Sequence, residues 1–172
     1  MYPGNVTSAE TSPDSALRLD AQLCFAVHVA SRAFDSLYRQ TLRDSGLTYP
    51  QYLVMLVLGE YGELSVKELG RKLRLDSGTL SPLLKRMQAA GWVERRRNAA
   101  DERSVTVWLT EAGFTLREQA SCVPLITMDS TGLGPADMAD LQDRLSALTD
   151  SIDAAAQRLA TDRTPPPTQN ES

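Results

Sequence analysis

The chain has few of the residues that build metal sites, disulfide frameworks or membrane spans. Its 172 residues include one histidine, His28, and two cysteines, Cys24 and Cys122, which lie 98 positions apart. Zinc sites need closely spaced ligand pairs and disulfide-rich domains need several cysteines, so we expect no metal site and no cofactor. The chain has no run of eighteen apolar residues and no basic start followed by an apolar stretch. Both absences predict a cytoplasmic protein without membrane contact.

An excess of positive charge is also missing, because the formal net charge is −4. The charge is nevertheless unevenly distributed. The segment from Ser65 to Arg103 holds ten basic and five acidic residues, so it carries +5, and the remainder carries −9. A polarised chain of this kind can hold a phosphate backbone with one region while the rest stays acidic.

Hydrophobic residues make up 42% of the chain, which is enough for the core of one domain. Residues 1–16 and 161–172 are rich in Ser, Thr and Pro without periodicity, and they predict mobile tails. The sequence between them predicts one domain at residues 17–160.

Helix boundaries are indicated by caps and glycines. Apolar residues recur at helical spacing from Leu17 to Ser45, where we expect Asp20 to cap the helix. Thr48 opens a second helix through Leu58. Thr110 caps a helix that runs towards Cys122 and breaks near Pro124, and a final helix runs from about Pro135 to Leu159. Leucines at steps of three and four give the final helix a narrow apolar seam, which favours pairing with a second copy over burial in its own domain.

The middle of the chain predicts a winged helix-turn-helix. Ser65 starts a short helix to about Leu73, and Asp76 leads into a second helix that ends at Gly91, with Pro82 blurring its start. A β-hairpin with a polar tip follows. Helix residues and hairpin residues of the types that contact bases and phosphates are Ser77, Thr79, Ser81, Lys85, Arg86, Arg95, Arg96, Arg97, Asp101 and Arg103. In this set we expect Asp101 to orient Arg103, and an arginine of the hairpin to enter a minor groove.

The stretch from Asp76 to Arg86, followed by Gly91 and by Asp101-Glu102-Arg103, resembles the MarR family of dimeric winged-helix regulators over roughly Leu17 to Leu159. Leu19 to Ala26 and Gly46 to Met55 are similar to its organic hydroperoxide resistance group. The resemblance implies a mainly α fold with a small β wing, in which the N- and C-terminal helices at residues 17–45 and 111–160 form the dimerisation region and residues 48–110 bind DNA. It further implies a homodimeric repressor that leaves double-stranded operator DNA when an organic hydroperoxide oxidises Cys24. Cys122 resembles the second thiol of the two-cysteine type, which forms a disulfide between subunits.

Peroxides are attacked by thiolate rather than by thiol, and the positive end of a helix dipole near Cys24 favours the anion. The resemblance gives Tyr38 and Tyr49 the role of holding that thiolate. Tyr38 follows Cys24 by fourteen residues, roughly 21 Å along a straight helix. If Tyr38 serves Cys24, it therefore comes from a second subunit. The competing interpretation is that both tyrosines fill the core.

Three other functions remain open at this point. A MarR-type repressor could instead be relieved by a small aromatic ligand between the dimerisation helices and the winged region. A thiol peroxidase would use the two cysteines for turnover and would need no arginine-rich wing, so we expect that the protein is not an enzyme. A dimerising scaffold without DNA contact is disfavoured by the +5 segment.

Overall fold

The structure is a computed structural model that describes residues 17–97 and 105–162. The chain divides into two compact units, one up to Thr127 and one from Met128. The predicted tail at 1–16 lies outside the described residues, as do positions 163–172 of the predicted C-terminal tail. The predicted domain boundaries remain predictions.

The first unit opens with a short 3-10 helix, Leu19–Ala21, and continues into helix α1, Leu23–Thr41. The prediction that Asp20 caps this helix is wrong. Asp20 instead forms an ion pair with Arg18 at 2.7 Å, and the N-cap is Gln22, which makes no side-chain capping hydrogen bond. The ion pair holds the Asp20 carboxylate close to its neighbour Arg18, and α1 begins at Leu23.

Helix α2, Tyr49–Tyr61, begins at the predicted capping box. The Gln51 side chain accepts a hydrogen bond from the backbone N–H of Thr48 at 2.8 Å. Strand β1, Leu64–Ser65, and helix α3, Val66–Leu73, follow. A second capping box joins Ser65 and Glu68, whose carboxylate accepts from the Ser65 backbone N–H and hydroxyl. In both boxes the third helical residue accepts from the N-cap N–H, and in α3 the Ser65 hydroxyl also accepts from the Glu68 N–H, so both boundaries are marked by residues close together in the sequence.

Helix α4, Ser77–Ala89, completes the predicted helix-turn-helix. The turn between α3 and α4 places Arg74 in the left-handed region, with φ 52°, and the Leu75 N–H reaches back to the Gly70 carbonyl at 2.9 Å. Asp76 caps α4 by accepting from the Thr79 N–H at 2.9 Å. Leu80, Leu83, Leu84 and Met87 are buried, and their spacing places them on one face of α4.

The wing consists of strands β2, Val93–Arg97, and β3, Val105–Leu109. They pair antiparallel from Val93 with Leu109 to Arg97 with Val105. Strand β1 adds to the other edge of β3, so the sheet order is β1, β3, β2. The predicted hairpin is confirmed, and β1 is an addition that the sequence pattern did not reveal. The tip with Asp101 and Arg103 lies outside the described residues.

Helix α5, Glu111–Gln119, begins at the predicted cap Thr110. A break near Pro124 is present as predicted, but it lies at residues 120–122, because α5 ends at Gln119 and helix α6, Val123–Thr131, starts after Cys122. The core lies between Leu42 and Val123 and includes Met55, Leu58 and Leu69. The second unit carries helix α7, Pro135–Asp162, which has no buried residue and extends two positions into the predicted tail.

Candidate functional site

Cys24 is the second residue of α1 and its side chain is exposed. The carbonyl of Gln22 accepts hydrogen bonds from the backbone N–H groups of Phe25 at 3.1 Å and Ala26 at 3.3 Å, which anchors the first turn. Cys24 therefore lies at the positive end of the helix dipole, where an anion is favoured. This placement of Cys24 does not require Asp20 as the cap, because α1 begins at Leu23 and Cys24 is then even nearer to the N-terminus of the helix.

Cys122 also lies at the beginning of a helix rather than near the end of one. Its carbonyl accepts the backbone N–H of Ile126 at 3.1 Å, which makes Cys122 the residue directly before α6. The thiol is free and exposed. It lines a cavity of about 210 Å³ together with Thr41 at the end of α1 and with Asp44 and Ser45 from the connection between α1 and α2. Both cysteines therefore combine exposure with a position at the positive end of a helix.

Tyr38 and Tyr49 lie against each other within one chain. Their rings stack with centroids 4.1 Å apart. Burial raises the pKa of Tyr49, and the neighbouring Tyr38 and Asp35 raise it further. A hydrogen bond with Tyr38 also raises the pKa of Tyr49, so its phenol stays protonated at neutral pH.

The stacked pair lies far from Cys24 of the same chain. Helix α1 is continuous from Leu23 to Thr41, so it contains both Cys24 and Tyr38. At a rise of about 1.5 Å per residue, the two positions are roughly 21 Å apart. A single chain thus brings the two predicted phenols together and leaves the predicted sensor thiol away from both.

Tyr52 is a neighbour of this cluster that the sequence interpretation did not select. It is 2% exposed, and its ring centroid lies 6.2 Å from that of Tyr38. Burial raises its pKa, as do Tyr38, Tyr49 and Cys122, whereas Arg117 lowers it. Tyr52 thus interacts electrostatically with both the stacked pair and the second cysteine. The available signal was its spacing of three from Tyr49, which places both rings on one face of α2.

The outward face of α4 carries the predicted DNA-contacting residues of the helix. Ser77, Thr79, Lys85 and Arg86 are exposed, and Ser81 is half-buried. The Thr79 hydroxyl donates to the Asp76 carboxylate at 2.9 Å, so it takes part in the cap. Hydrogen bonds from Thr79 lower the pKa of Asp76 and keep this cap charged at neutral pH.

The three arginines of β2 do not form one cluster. The Arg95 Nε donates to the Gln88 side chain at the end of α4 at 2.7 Å. Arg96 instead forms an ion pair with Glu63 at 3.8 Å and lies 5.4 Å from the centre of the Trp108 ring. Successive residues of a strand point to opposite faces of the sheet. Arg95 and Arg97 therefore share one face of the wing and Arg96 lies on the other.

The family and the relatives of the chain agree with this architecture. The model of the MarR family matches residues 45–104. The transcriptional regulator TtmR of Methylorubrum extorquens is 46% identical over 90% of this chain and 79% of its own length. The organic hydroperoxide resistance transcriptional regulator of Bacillus subtilis is 40% identical over 79% of this chain and 92% of its own length.

The chain belongs to the MarR family. Solved structures of the regulator AbfR are similar as well. Reduced AbfR bound to DNA has a TM-score of 0.69 at 33% identity, covering 82% of this chain and 99% of that chain. AbfR with its disulfide formed has a TM-score of 0.54 at 34% identity, covering 79% and 96%. The predicted fold class is confirmed, and the MarR-family winged helix is the one described above.

Membership in the MarR family also gives the class of activity. The relatives are named transcriptional regulators, so the chain is a transcriptional regulator and not an enzyme. Binding of operator DNA is supported by the DNA complexes of the family. Across the described ranges, no helix is both long and apolar enough to cross a membrane, and no group of His, Cys, Asp or Glu is arranged to hold a metal ion.

Proposed function

We propose that this MarR-family regulator is a repressor that senses organic hydroperoxides through Cys24 and acts as a homodimer on double-stranded operator DNA. The observation that carries the proposal is the exposed Cys24 thiol in the first turn of α1, in a chain that is 40% identical to an organic hydroperoxide resistance regulator. An accessible thiol at a helix N-terminus meets two requirements of peroxide chemistry, namely reach and a favoured anion.

The first chemical step oxidises Cys24. Its thiolate attacks an oxygen of the hydroperoxide, the O–O bond breaks, and a sulfenic acid forms while the alkoxide takes up a proton and leaves as the alcohol. In the second step a thiolate at Cys122 of the partner subunit attacks the sulfenic sulfur. A disulfide forms, and the hydroxide that leaves takes up a proton to become water. We expect the resulting strain to reorient the winged regions and release the operator.

A second copy of the chain is needed to complete the sensor. Tyr38 lies roughly 21 Å from Cys24 on the same helix, so the phenols that hold the Cys24 thiolate come from the partner subunit in this proposal. Exposed apolar side chains support such a pairing. In α1 they include Leu23 and Phe25, which are 61% and 38% exposed, and in α7 they include Leu145 and Ile152, which are 43% and 57% exposed.

We propose that residues 17–45 and 111–160 form the dimerisation region and that residues 48–110 bind DNA. The apolar seam of α7 supports the first assignment, because a seam of this kind suits another helix and its members Leu141, Leu145, Ile152 and Leu159 are exposed. The similar regulator AbfR has been solved with its disulfide formed and, in its reduced and overoxidised forms, bound to DNA, which supports a link between thiol chemistry and DNA binding.

A gel shift on the DNA upstream of the chain's own gene tests the proposal, with an alkyl hydroperoxide added to the complex and a thiol reductant added afterwards. We expect peroxide to release the wild-type protein and reductant to restore binding. Cys24→Ser is expected to bind DNA and to stay bound under peroxide. A Cys24→Ser protein that peroxide still releases would contradict the mechanism.

The matched variant Cys122→Ser separates the two thiols. Non-reducing electrophoresis of the treated wild type is expected to show a covalently linked dimer. Treated Cys122→Ser is expected to show no such band, and mass spectrometry is expected to find Cys24 overoxidised or capped by a small thiol. A linked dimer in Cys122→Ser would refute the assignment of the second cysteine.

A further inference from the structure

A cavity of the winged region lies between the two helices of the helix-turn-helix and the wing. Its volume is about 650 Å³. Three cationic residues line it, Lys67 and Arg71 from α3 and Arg95 from β2, and none of its described lining residues is acidic. The sequence predicted DNA contacts from α4 and the wing. It assigned no site to Lys67 and Arg71, which lie on α3, the first helix of the helix-turn-helix.

The edge of α4 that faces the cavity carries hydroxyl groups. Ser77 and Ser81 line the cavity and are four residues apart, which places them on one edge of the helix. Thr79 lies on a different edge and bonds to its cap Asp76. Serine hydroxyls beside cations are a common set of donors to phosphate oxygens. The cavity therefore combines positive charge with neutral donors and lacks a described carboxylate that would compete with an anion.

Of the arginines of the wing, Arg95 lines the cavity and Arg96 does not. The guanidinium of Arg95 has five N–H donors, and Gln88 takes one of them at 2.7 Å, which ties Arg95 to the end of α4. Arg96, on the opposite face of the wing, lies between Glu63 and the Trp108 ring. Position on the sheet, rather than the run of three arginines in the sequence, decides which side chain reaches the cavity.

We propose that Lys67, Arg71 and Arg95 form a phosphate cradle that binds backbone phosphates of the operator, while Arg96 braces the wing against the segment before β1 and contacts no phosphate. The inference rests on the proposed function as far as it takes DNA as the partner, and it does not depend on peroxide sensing. It adds the first helix of the helix-turn-helix to the DNA-binding surface and removes one predicted arginine from it.

The salt dependence of DNA binding distinguishes a phosphate contact from a bracing role. The slope of log K against log salt concentration is negative, and each lost phosphate contact reduces its magnitude by about 0.9. If two chains bind one operator, Arg71→Ala and Arg95→Ala are each expected to reduce the magnitude of the slope by about 1.8. Arg71→Lys is expected to keep the wild-type slope because its ammonium still neutralises a phosphate. Arg96→Ala is expected to leave the slope unchanged, even where it weakens binding.

Lys72→Ala is the matched control. Lys72 lies next to Arg71 on α3, and its replacement by Ala removes the same positive charge. The Lys72 ammonium, however, lies 3.2 Å from the centre of the Tyr61 ring, and Lys72 does not line the cavity. We expect the wild-type slope for this variant. Unchanged slopes in both Arg71→Ala and Arg95→Ala would overturn the cradle, as would an equal loss in Lys72→Ala or a slope of reduced magnitude in Arg96→Ala.

The assay uses full-length reduced protein, the duplex from upstream of the chain's own gene, and circular dichroism to confirm that each variant is folded. Peroxide release is measured on the same wild-type complex. Wild-type binding without peroxide release would refute the proposed sensing function and leave the cradle standing. Normal peroxide release with unchanged slopes in the cradle variants would refute the cradle alone.

Discussion

Thr110 connects the base of the wing to the start of α5, and its removal is a sharp test of the fold. Its hydroxyl donates to the Gly91 carbonyl at 2.6 Å and accepts from the Gly113 N–H at 3.1 Å. The first bond closes the base of the hairpin and the second caps α5. Thr110→Ala removes both and leaves the strand and helix backbones otherwise intact.

The expected cost follows from the two bonds. Loss of an N-cap typically costs about 1 kcal/mol, and loss of a further hydrogen bond to a carbonyl costs about 1 kcal/mol. Thr110→Ala should therefore lower the free energy of unfolding by about 2 kcal/mol. Thr110→Ser keeps the hydroxyl and should lose less than about 0.5 kcal/mol, so it serves as the control for the lost methyl group.

Urea unfolding followed by far-ultraviolet circular dichroism measures the difference. With a slope of about 2 kcal/mol per molar urea, the midpoint of Thr110→Ala should fall by about 1 M. All variants are compared at one protein concentration, because the midpoint of a dimer depends on it. A Thr110→Ala midpoint equal to that of the wild type, or an equal loss in Thr110→Ser, would refute the reasoning.

Two further perturbations test contacts outside the sensor. Gly59→Ala places a methyl group where the end of the Arg117 side chain packs, so an overpacking cost of about 1–2 kcal/mol opposes the gain of about 1 kcal/mol that Ala has over Gly inside a helix; in an Arg117→Ala background the same change should be clearly stabilising in urea unfolding, and additivity of the two changes would contradict the packing. Asp76→Asn tests the charge of the α4 cap: because Thr79 holds the pKa of Asp76 below its usual range, the cap's charge stabilises the fold at neutral pH and this contribution is lost as the pH falls through that lowered pKa. Thermal unfolding from about pH 6 to about pH 3 should therefore show a smaller acid-induced loss in Asp76→Asn than in the wild type, and identical acid losses would refute the effect.

Local hydrogen bonds explain why much of the fold could be predicted. The capping boxes at Thr48 and Ser65 and the caps at Asp76 and Thr110 each join residues three positions apart, so both partners are visible in one short window of sequence. The prediction of a cap at Asp20 was wrong because a second partner is also near in the sequence: the Asp20 carboxylate forms an ion pair with Arg18. Strand β1 was missed because its two residues gain a partner only some forty positions later, at Val107 and Thr106.

The site was harder to predict than the fold because its geometry is not local. In the sequence, three consecutive arginines form one basic run: Arg95, Arg96 and Arg97. Only the pairing of β2 with β3 shows that Arg96 lies on the opposite face of the sheet from the other two. Tyr52 became visible as a neighbour of the stacked pair only once its burial and ring distance were known. For Cys122, the proline two positions later was interpreted as a helix breaker, whereas it lies in the first turn of α6, where proline is tolerated.

The uninterrupted course of α1 has a genetic consequence under the proposed pairing. Cys24 lies near one end of this straight helix and Tyr38 lies near the other, so they cannot meet within one chain. Each sensor site therefore combines Cys24 of one subunit with Tyr38 of the other. A lesion at Cys24 in one copy and a lesion at Tyr38 in another would leave one intact sensor site in the mixed pair. The same two lesions on a single copy would leave none, even beside an undamaged companion.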